Sequence, residues 1–257
     1  LPAAQAAIPD SRIYVVTHVD HPIDPVPGLV PIYAGPAAAN APAGALTDVR
    51  QDGTALDNAR WSELSAIHRI WQDGPRAGRV GFCHYRRYFN FGHPDHRADI
   101  SEIDRRELQA VRAFTFDAAQ IAAVGPSLAI VARPQQLDRP VPDHYRESHI
   151  FADYEKLLSL CAEKFPDIAK HMAAQHDREL LYACNLFVLS WPDFDALCAF
   201  WFALLEDFAA TTPWPRGQGA YQDRDVAFLS ERLFDAWIRH RQANGLALLE
   251  LPIFFVI

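Results

Sequence analysis

Cysteine is too scarce and too scattered in this chain to build anything from. Four occur in 257 residues, Cys83, Cys161, Cys184 and Cys198, each in an apolar stretch and none in a Cys-x-x-Cys pair. That spacing excludes a zinc ribbon and favours buried free thiols in a reducing cytoplasm over a disulfide framework. Lysine is scarcer still: Lys156, Lys164 and Lys170 are the only ones, against 21 arginines. Acidic residues outnumber both and give a net charge of −8. Affinity for nucleic acid comes mainly from a surplus of cationic side chains, so nucleic acid is not the expected partner. No apolar run reaches the roughly 20 residues that span a bilayer; the densest, residues 199–205, ends at Glu206-Asp207. This is a chain for the cytoplasm, at most working at the inner face of the plasma membrane. Phosphate-loop spacing, the Gly-x-Gly-x-x-Gly dinucleotide fingerprint and the Gly-x-Ser-x-Gly elbow are all missing, and the sole Gly-x-Gly is Gly217-Gln218-Gly219. The chain opens on Leu1, and residues 1–10 lack the basic start of a signal peptide. They read as a linker, and the chain as either trimmed at its start or a segment of a longer protein.

Apolar residues are plentiful. They make up half the chain, with 12% aromatic, enough for a sizeable core. Short apolar runs at residues 12–17, 29–34, 79–83, 128–132, 184–190 and 248–256 read as strands covered on both faces. Helical spacing appears in Trp61, Leu64, His68 and Trp71 behind Asp57-Asn58, and again in Leu157, Leu158, Cys161 and Phe165. Two longer helical patterns follow, from Phe194 to Phe208 with Asp193 as the expected cap, and from Val226 to Trp237. Strands alternating with helices predict one α/β domain, a mixed but mainly parallel sheet with helices on both faces. Residues 35–53 read as a long Ala/Pro/Gly-rich loop, and residues 214–219 as a loop with the composition of a lid.

The most informative stretch is Val80-Gly81-Phe82-Cys83-His84-Tyr85-Arg86-Arg87-Tyr88-Phe89. An apolar strand ends and donor-rich side chains follow at once, at the place where open α/β sheets collect ligands. Arg86 and Arg87 offer forked donors to a phosphate or diphosphate. The bland reading stands beside this one: the arginines pair with scattered carboxylates and the aromatics pack on the sheet. Metal-binding Asp-x-Asp is matched by Asp193-Phe194-Asp195 and Asp223-Arg224-Asp225. With 22 aspartates in the chain, chance alone supplies about two such pairs, and both read better as helix-start carboxylates. A divalent ion such as manganese or magnesium is therefore not favoured. His18 and His21 follow the first strand, His84 lies in the polar cluster, and His144 and His149 bracket Tyr145-Arg146-Glu147-Ser148. None has the i, i+4 spacing of a helical metal site.

Taken in order, several stretches resemble one known family. They are Ile13-Tyr14-Val15-Val16-Thr17-His18, then Val30-Pro31-Ile32-Tyr33-Ala34-Gly35, the helix from Asn58 through Glu63-Leu64-Ser65 to Trp71, and His84-Tyr85-Arg86-Arg87-Tyr88-Phe89. Later come His144-Tyr145 with His149, Asn185-Leu186-Phe187-Val188, and Arg224 with Phe228-Leu229-Ser230-Glu231-Arg232-Leu233-Phe234. The family is the bacterial domain of unknown function 4422, found in capsule, exopolysaccharide and lipopolysaccharide gene clusters and regarded as glycosyltransferases. Ser65 stands where that family usually has Thr, and His68 where it often has an aromatic.

The resemblance implies a GT-A-like, Rossmann-type domain that transfers a hexose from a nucleotide-sugar donor to a glycan or lipid-linked glycan acceptor. It points to a UDP-linked donor, UDP-galactofuranose among the candidates. It places His84, Tyr85, Arg86 and Arg87 where related folds keep their metal-binding Asp-x-Asp, so the arginines would neutralise the diphosphate without a metal. Strand-end position assigns Thr17 and His18 to uracil and ribose, and family matching adds Asn58. His144, Tyr145 and His149 are left for the sugar or acceptor, and Asn185 and Arg224 are carried over as substrate-binding. For the base, Glu231 comes first, although its place on one helical face with Arg224 and beside Arg232 equally fits a structural Arg–Glu pair. His149 and then Asp225 stand behind it, while Glu63 reads as a cap or a pairing partner. Two other classes stay open: a non-catalytic sugar-binding module of a larger polysaccharide enzyme, and a hydrolase of nucleotide-linked substrates.

Overall fold

The computed structural model describes residues 11–19, 29–92, 95–107 and 128–257. The linker reading of residues 1–10 and the histidine at position 21 lie outside them. In chain order the elements are β1 (Ser11–Thr17), β2 (Leu29–Tyr33), β3 (Leu46–Thr47), α1 (Asn58–Trp61), α2 (Leu64–Asp73), β4 (Arg79–His84), β5 (Arg87–Phe89), β6 (Ile100–Ile103), β7 (Leu128–Ala132) and β8 (Gln135–Gln136). They continue with α3 (Val141–Ser148), α4 (Phe151–Lys164), α5 (Pro166–Ala173), β9 (Leu180–Leu181), β10 (Phe187–Ser190), α6 (Trp191–Ala210), α7 (Asp225–Ala243), β11 (Ala247–Leu251) and β12 (Ile253–Val256).

The main sheet runs β11-β7-β10-β4-β1-β2-β3 and is parallel except at β10, which is antiparallel to both neighbours. The single strand read over residues 248–256 is two strands. β11 stays in the main sheet, while β12 leaves it to pair antiparallel with β5 and parallel with β6. Pro252 lies between them and lacks the N–H that an unbroken ladder would use.

Side chains alternate across the sheet, as a pleat requires. Tyr14, Val16, Val80, Phe82, Phe187 and Leu189 face the larger core, built with α2, α4, α6 and α7. Ile13, Val15, Cys83, Ile130 and Val188 face a second core completed by Val141 of α3 and by β5 and β12. All four cysteines are buried free thiols. Trp201 of α6 is fully buried, and its indole N–H donates to the Ser230 carbonyl of α7 at 3.1 Å. Gly81 lets β4 and β10 approach closely: a Cβ there would stand 2.8 Å from Val188 Cγ2 and 2.9 Å from the Phe187 carbonyl oxygen.

Three local expectations are corrected. The helix read through residues 58–71 breaks at Ser62, whose φ of +47° lies in the left-handed region, so α1 and α2 are separate. Asp57 does cap the first, accepting from the Ala59 N–H at 3.0 Å. The cap of α6 is Ser190 rather than Asp193: its hydroxyl oxygen accepts from the Asp193 N–H at 3.2 Å. The loop at residues 214–219 is anchored. Partly buried Arg216 donates to Asp153 at 2.8 Å and to Asp225 at 3.2 Å, and Asp225 in turn holds Arg60 of α1 at 2.9 Å. These four side chains join α1, α4, α7 and the loop in one buried ionic cluster.

Candidate functional site

β1 and β4 are parallel neighbours in register at Val16 and His84. Beyond their carboxyl ends opens a cavity of about 750 Å³. Its walls are the β4–β5 turn, the break between α1 and α2, the segment leading into β10, the ends of α3, and the first two turns of α7 with the residue before it. The elements thus bring together His18, Glu63, His84, Tyr85, Arg86, Arg87, His144, His149, Arg224 and Glu231, residues spread over most of the chain.

Arg86 and Arg87 share one support. Their guanidinium carbons lie 4.6 and 5.3 Å from the ring centre of Phe255 on β12. Arg86 Nε donates to the Val256 carbonyl at 3.0 Å, which fixes the arm and leaves the terminal nitrogens for a ligand. From another wall, Arg224 Nε donates to Ser62 Oγ at 3.0 Å, and its guanidinium lies 5.3 Å from the Phe228 ring. Arg232 is tied inward, donating to the Phe228 carbonyl and to Glu231, each at 2.9 Å. Aromatic faces hold cations without neutralising them, so Arg86, Arg87 and Arg224 keep their charge for an anion, although Glu63, Glu102 and Glu231 share the same lining.

Uncharged imidazoles complete the lining. Burial first and Arg87 second push the His84 imidazole down to about 3. Burial and then Arg232 push His149 down to about 3 and also lower His144. His18 is lowered by desolvation first and by Arg224 second, against the opposing pull of Glu63. His84 Nε2, His144 Nδ1 and His149 Nδ1 are buried with no hydrogen-bond partner among the described residues. Neutral rings of this kind can donate or accept a hydrogen bond with the hydroxyl groups of a ligand. Among the described residues no three His, Cys, Asp or Glu side chains are grouped to hold a metal ion.

Several residues singled out from the sequence stand apart from the cavity wall. Thr17 is fully buried and its hydroxyl donates to the Val19 carbonyl at 3.0 Å. Asn58 spends its amide on the Ser62 carbonyl (2.7 Å) and Ser65 Oγ (3.1 Å). Gly35, at φ +55°, packs so tightly against Asn58 that a Cβ would stand 2.5 Å from its Oδ1. Tyr145 is core, packed on Tyr154 and His149 and under the Arg232 guanidinium. Asn185 is fully buried beneath the wall. Asp225 belongs to the buried ionic cluster with Arg60 and Arg216. The two Asp-x-Asp pairs are spent as well: Asp193 on Arg241 and Ser190, Asp195 on the Trp71 indole, Asp223 on the Arg216 backbone N–H.

Other wall residues were not foreseen: Ser62, Glu102, Gln135, Cys184, Tyr221, Phe228, Arg232 and Phe255. Ser62, Cys184, Phe228 and Arg232 adjoin residues the sequence did mark. Glu102 and Phe255 arrive only through the pairing of β12 with β5 and β6. Burial, and Glu231 after it, push the Cys184 thiol up to about 12, the direction that disfavours a reactive thiolate.

A family model described as Domain of unknown function (DUF4422) matches residues 12–242. The solved apo structure of WbbM, a bifunctional glycosyltransferase, superposes with a TM-score of 0.83 at 21% identity, covering 96% of this chain and 45% of that one. The chain therefore spans less than half the length of that protein. No curated protein matches the sequence.

Proposed function

The chain belongs to the DUF4422 family, and from that premise and the cavity we propose that it is a GT-A-type glycosyltransferase using a UDP-linked sugar. Its acceptor is a glycan of the bacterial surface, free or lipid-linked. The observation that carries this reading is the pair Arg86 and Arg87 on the Phe255 ring at the strand ends. Fixed positive charge placed where a diphosphate leaves lowers the barrier for breaking the sugar–phosphate bond. The neutral imidazoles around it offer hydrogen bonds to sugar hydroxyls without competing for the anion. The fold shared with a bifunctional glycosyltransferase supports the same reaction class. Because arginines stand at the strand end and the Asp-x-Asp carboxylates are engaged elsewhere, the transfer runs without a divalent metal.

The test is UDP release from a panel of UDP-hexoses, UDP-galactofuranose included, with and without surface-glycan oligosaccharides, in excess EDTA. Acceptor-dependent release is the expected result. Binding without release identifies a sugar-binding module, and release that ignores the acceptor identifies a hydrolase. Activity lost in EDTA and restored by manganese overturns metal independence alone.

A further inference from the structure

Three residues other than glycine adopt positive φ among the described residues, Ser62 (+47°), Cys184 (+71°) and Asn185 (+48°). All three gather at one wall of the cavity: Ser62 and Cys184 line it and Asn185 lies directly beneath. Such backbone is unfavourable for residues with a Cβ and persists only where its surroundings enforce it. Here the strained positions serve two carboxylates. Ser62 ends α1 so that the next residue, Glu63, reaches the cavity before α2 begins. Across the wall, the Cys184 N–H donates to Glu231 Oε1 at 3.0 Å, and Asn185 Nδ2 donates to Glu63 Oε1 at 2.8 Å. Asn185 Nδ2 also donates to Ser230 Oγ at 2.8 Å, and that hydroxyl donates to the Ala227 carbonyl at 2.7 Å. The amide that grips Glu63 is thus itself fixed to α7.

The two carboxylates are left in different states. Glu231 has both oxygens engaged, one by Cys184 and the other by Arg232 at 2.9 Å. Glu63 has one oxygen anchored, while Oε2 has no hydrogen bond to any described residue and its side chain lines the cavity. His149 is stacked on Phe228 with ring centres 3.9 Å apart, on a ring too weakly basic to hold a proton near neutrality. Glu102 lies exposed on β6, and no described residue hydrogen-bonds to its carboxylate.

We propose that Glu63 is the catalytic base of the transfer and that Asn185 is its positioning residue, a reading that rests on the glycosyltransferase assignment above. The acceptor hydroxyl oxygen bonds to the anomeric carbon of the donor sugar as the bond from that carbon to the diphosphate oxygen breaks. The electron pair of the broken bond leaves with UDP, and the hydroxyl proton passes to Glu63 Oε2. Water takes the proton from the resulting carboxylic acid after the products depart.

The experiment measures acceptor-dependent UDP release against pH for the parent, Glu63→Gln, Asn185→Gly and Asn185→Asp, with UDP affinity by calorimetry as the check on fold and donor site. Glu63→Gln is expected to lose about 10²–10⁴-fold in kcat with UDP affinity unchanged. Asn185→Gly keeps the left-handed backbone and removes the grip, so kcat falls while KM for the donor holds. Asn185→Asp sets a like charge beside Glu63, raises its pKa, and moves the acid limb of the kcat profile to higher pH. A Glu63 that is not the base would leave that limb in place, and a merely structural Asn185 would leave kcat parent-like in a folded Asn185→Gly. Parent-like turnover in Glu63→Gln, or an acid limb unmoved in Asn185→Asp, overturns Glu63 as the base, and parent-like kcat in Asn185→Gly overturns Asn185 as its positioning residue, while the transferase reading stands. A parent that shows no acceptor-dependent release overturns both. Should Glu63→Gln fail to fold, the limb shift in Asn185→Asp decides the matter.

Discussion

Two guanidiniums on one phenyl ring have little to gain from each other, and their closeness makes sense once an anion lies between or above them. Arg86 is braced by the Val256 carbonyl and Arg87 by its place in β5, so neither needs to be ordered when a ligand arrives. A charge-assisted hydrogen bond of this kind is worth roughly 1.5–3 kcal/mol. Arg86→Ala and Arg87→Ala should therefore each weaken UDP binding by about tenfold to a hundredfold, and calorimetry that finds both variants binding like the parent removes the diphosphate from this wall. The donor-rich run at residues 84–87 was legible because polarity following an apolar strand leaves few places for those groups except the strand end. Thr17, Asn58 and Tyr145 were not legible in the same way. Each has a polar atom at the right point in the chain, but sequence does not say whether that atom is already spent on Val19, on Ser62 and Ser65, or in the core. Glu63 was hidden for the opposite reason, because it stands in an apolar helical pattern and only the break at Ser62 exposes it.

At the scale of elements, β4 carries the site, and its spacing from β10 is set by the missing side chain at Gly81. Adding a methyl there puts a Cβ 2.8 Å from Val188 and 2.9 Å from a backbone oxygen. Overpacking of this kind costs about 1–3 kcal/mol. Gly81→Ala should lower the urea midpoint accordingly, and an unchanged midpoint would show that the two strands have room to part. The apolar runs at residues 12–17, 29–34, 79–83 and 128–132 were read to within a residue at each end, since a strand covered on both faces leaves a continuous apolar trace. The run at 184–190 was read three residues too long, because Cys184 and Asn185 hold left-handed backbone and β10 begins at Phe187. Short elements were not read: β5, β6, β8 and β9 hold two to four residues each and owe their form to partners distant in sequence. The helix break and the exchange of Asp193 for Ser190 as a cap belong to the same class. Local propensity favours a continuous helix through Ser62, and the contacts of Arg224 with its hydroxyl and of its neighbours with the sheet override that preference.

For the molecule as a whole, alternation of strands and helices was enough to announce a mixed, mainly parallel sheet, because βα units leave few other ways to cover both faces. What it could not announce is how the walls of the cavity are braced against one another. Arg60, Asp153, Arg216 and Asp225 do this from inside, two charges of each sign, three of them buried and Arg216 partly so. Arg224 reaches the cavity from the residue next to Asp225. Ions in solution screen exposed charges strongly and buried pairs far less. Raising potassium chloride from about 50 mM to about 500 mM should thus weaken UDP binding severalfold while the melting temperature barely moves. Melting that falls in step with affinity would mean the brace is wet. If the two separate as expected, ionic strength becomes a dial that turns down recognition and leaves the shape of the receptacle standing.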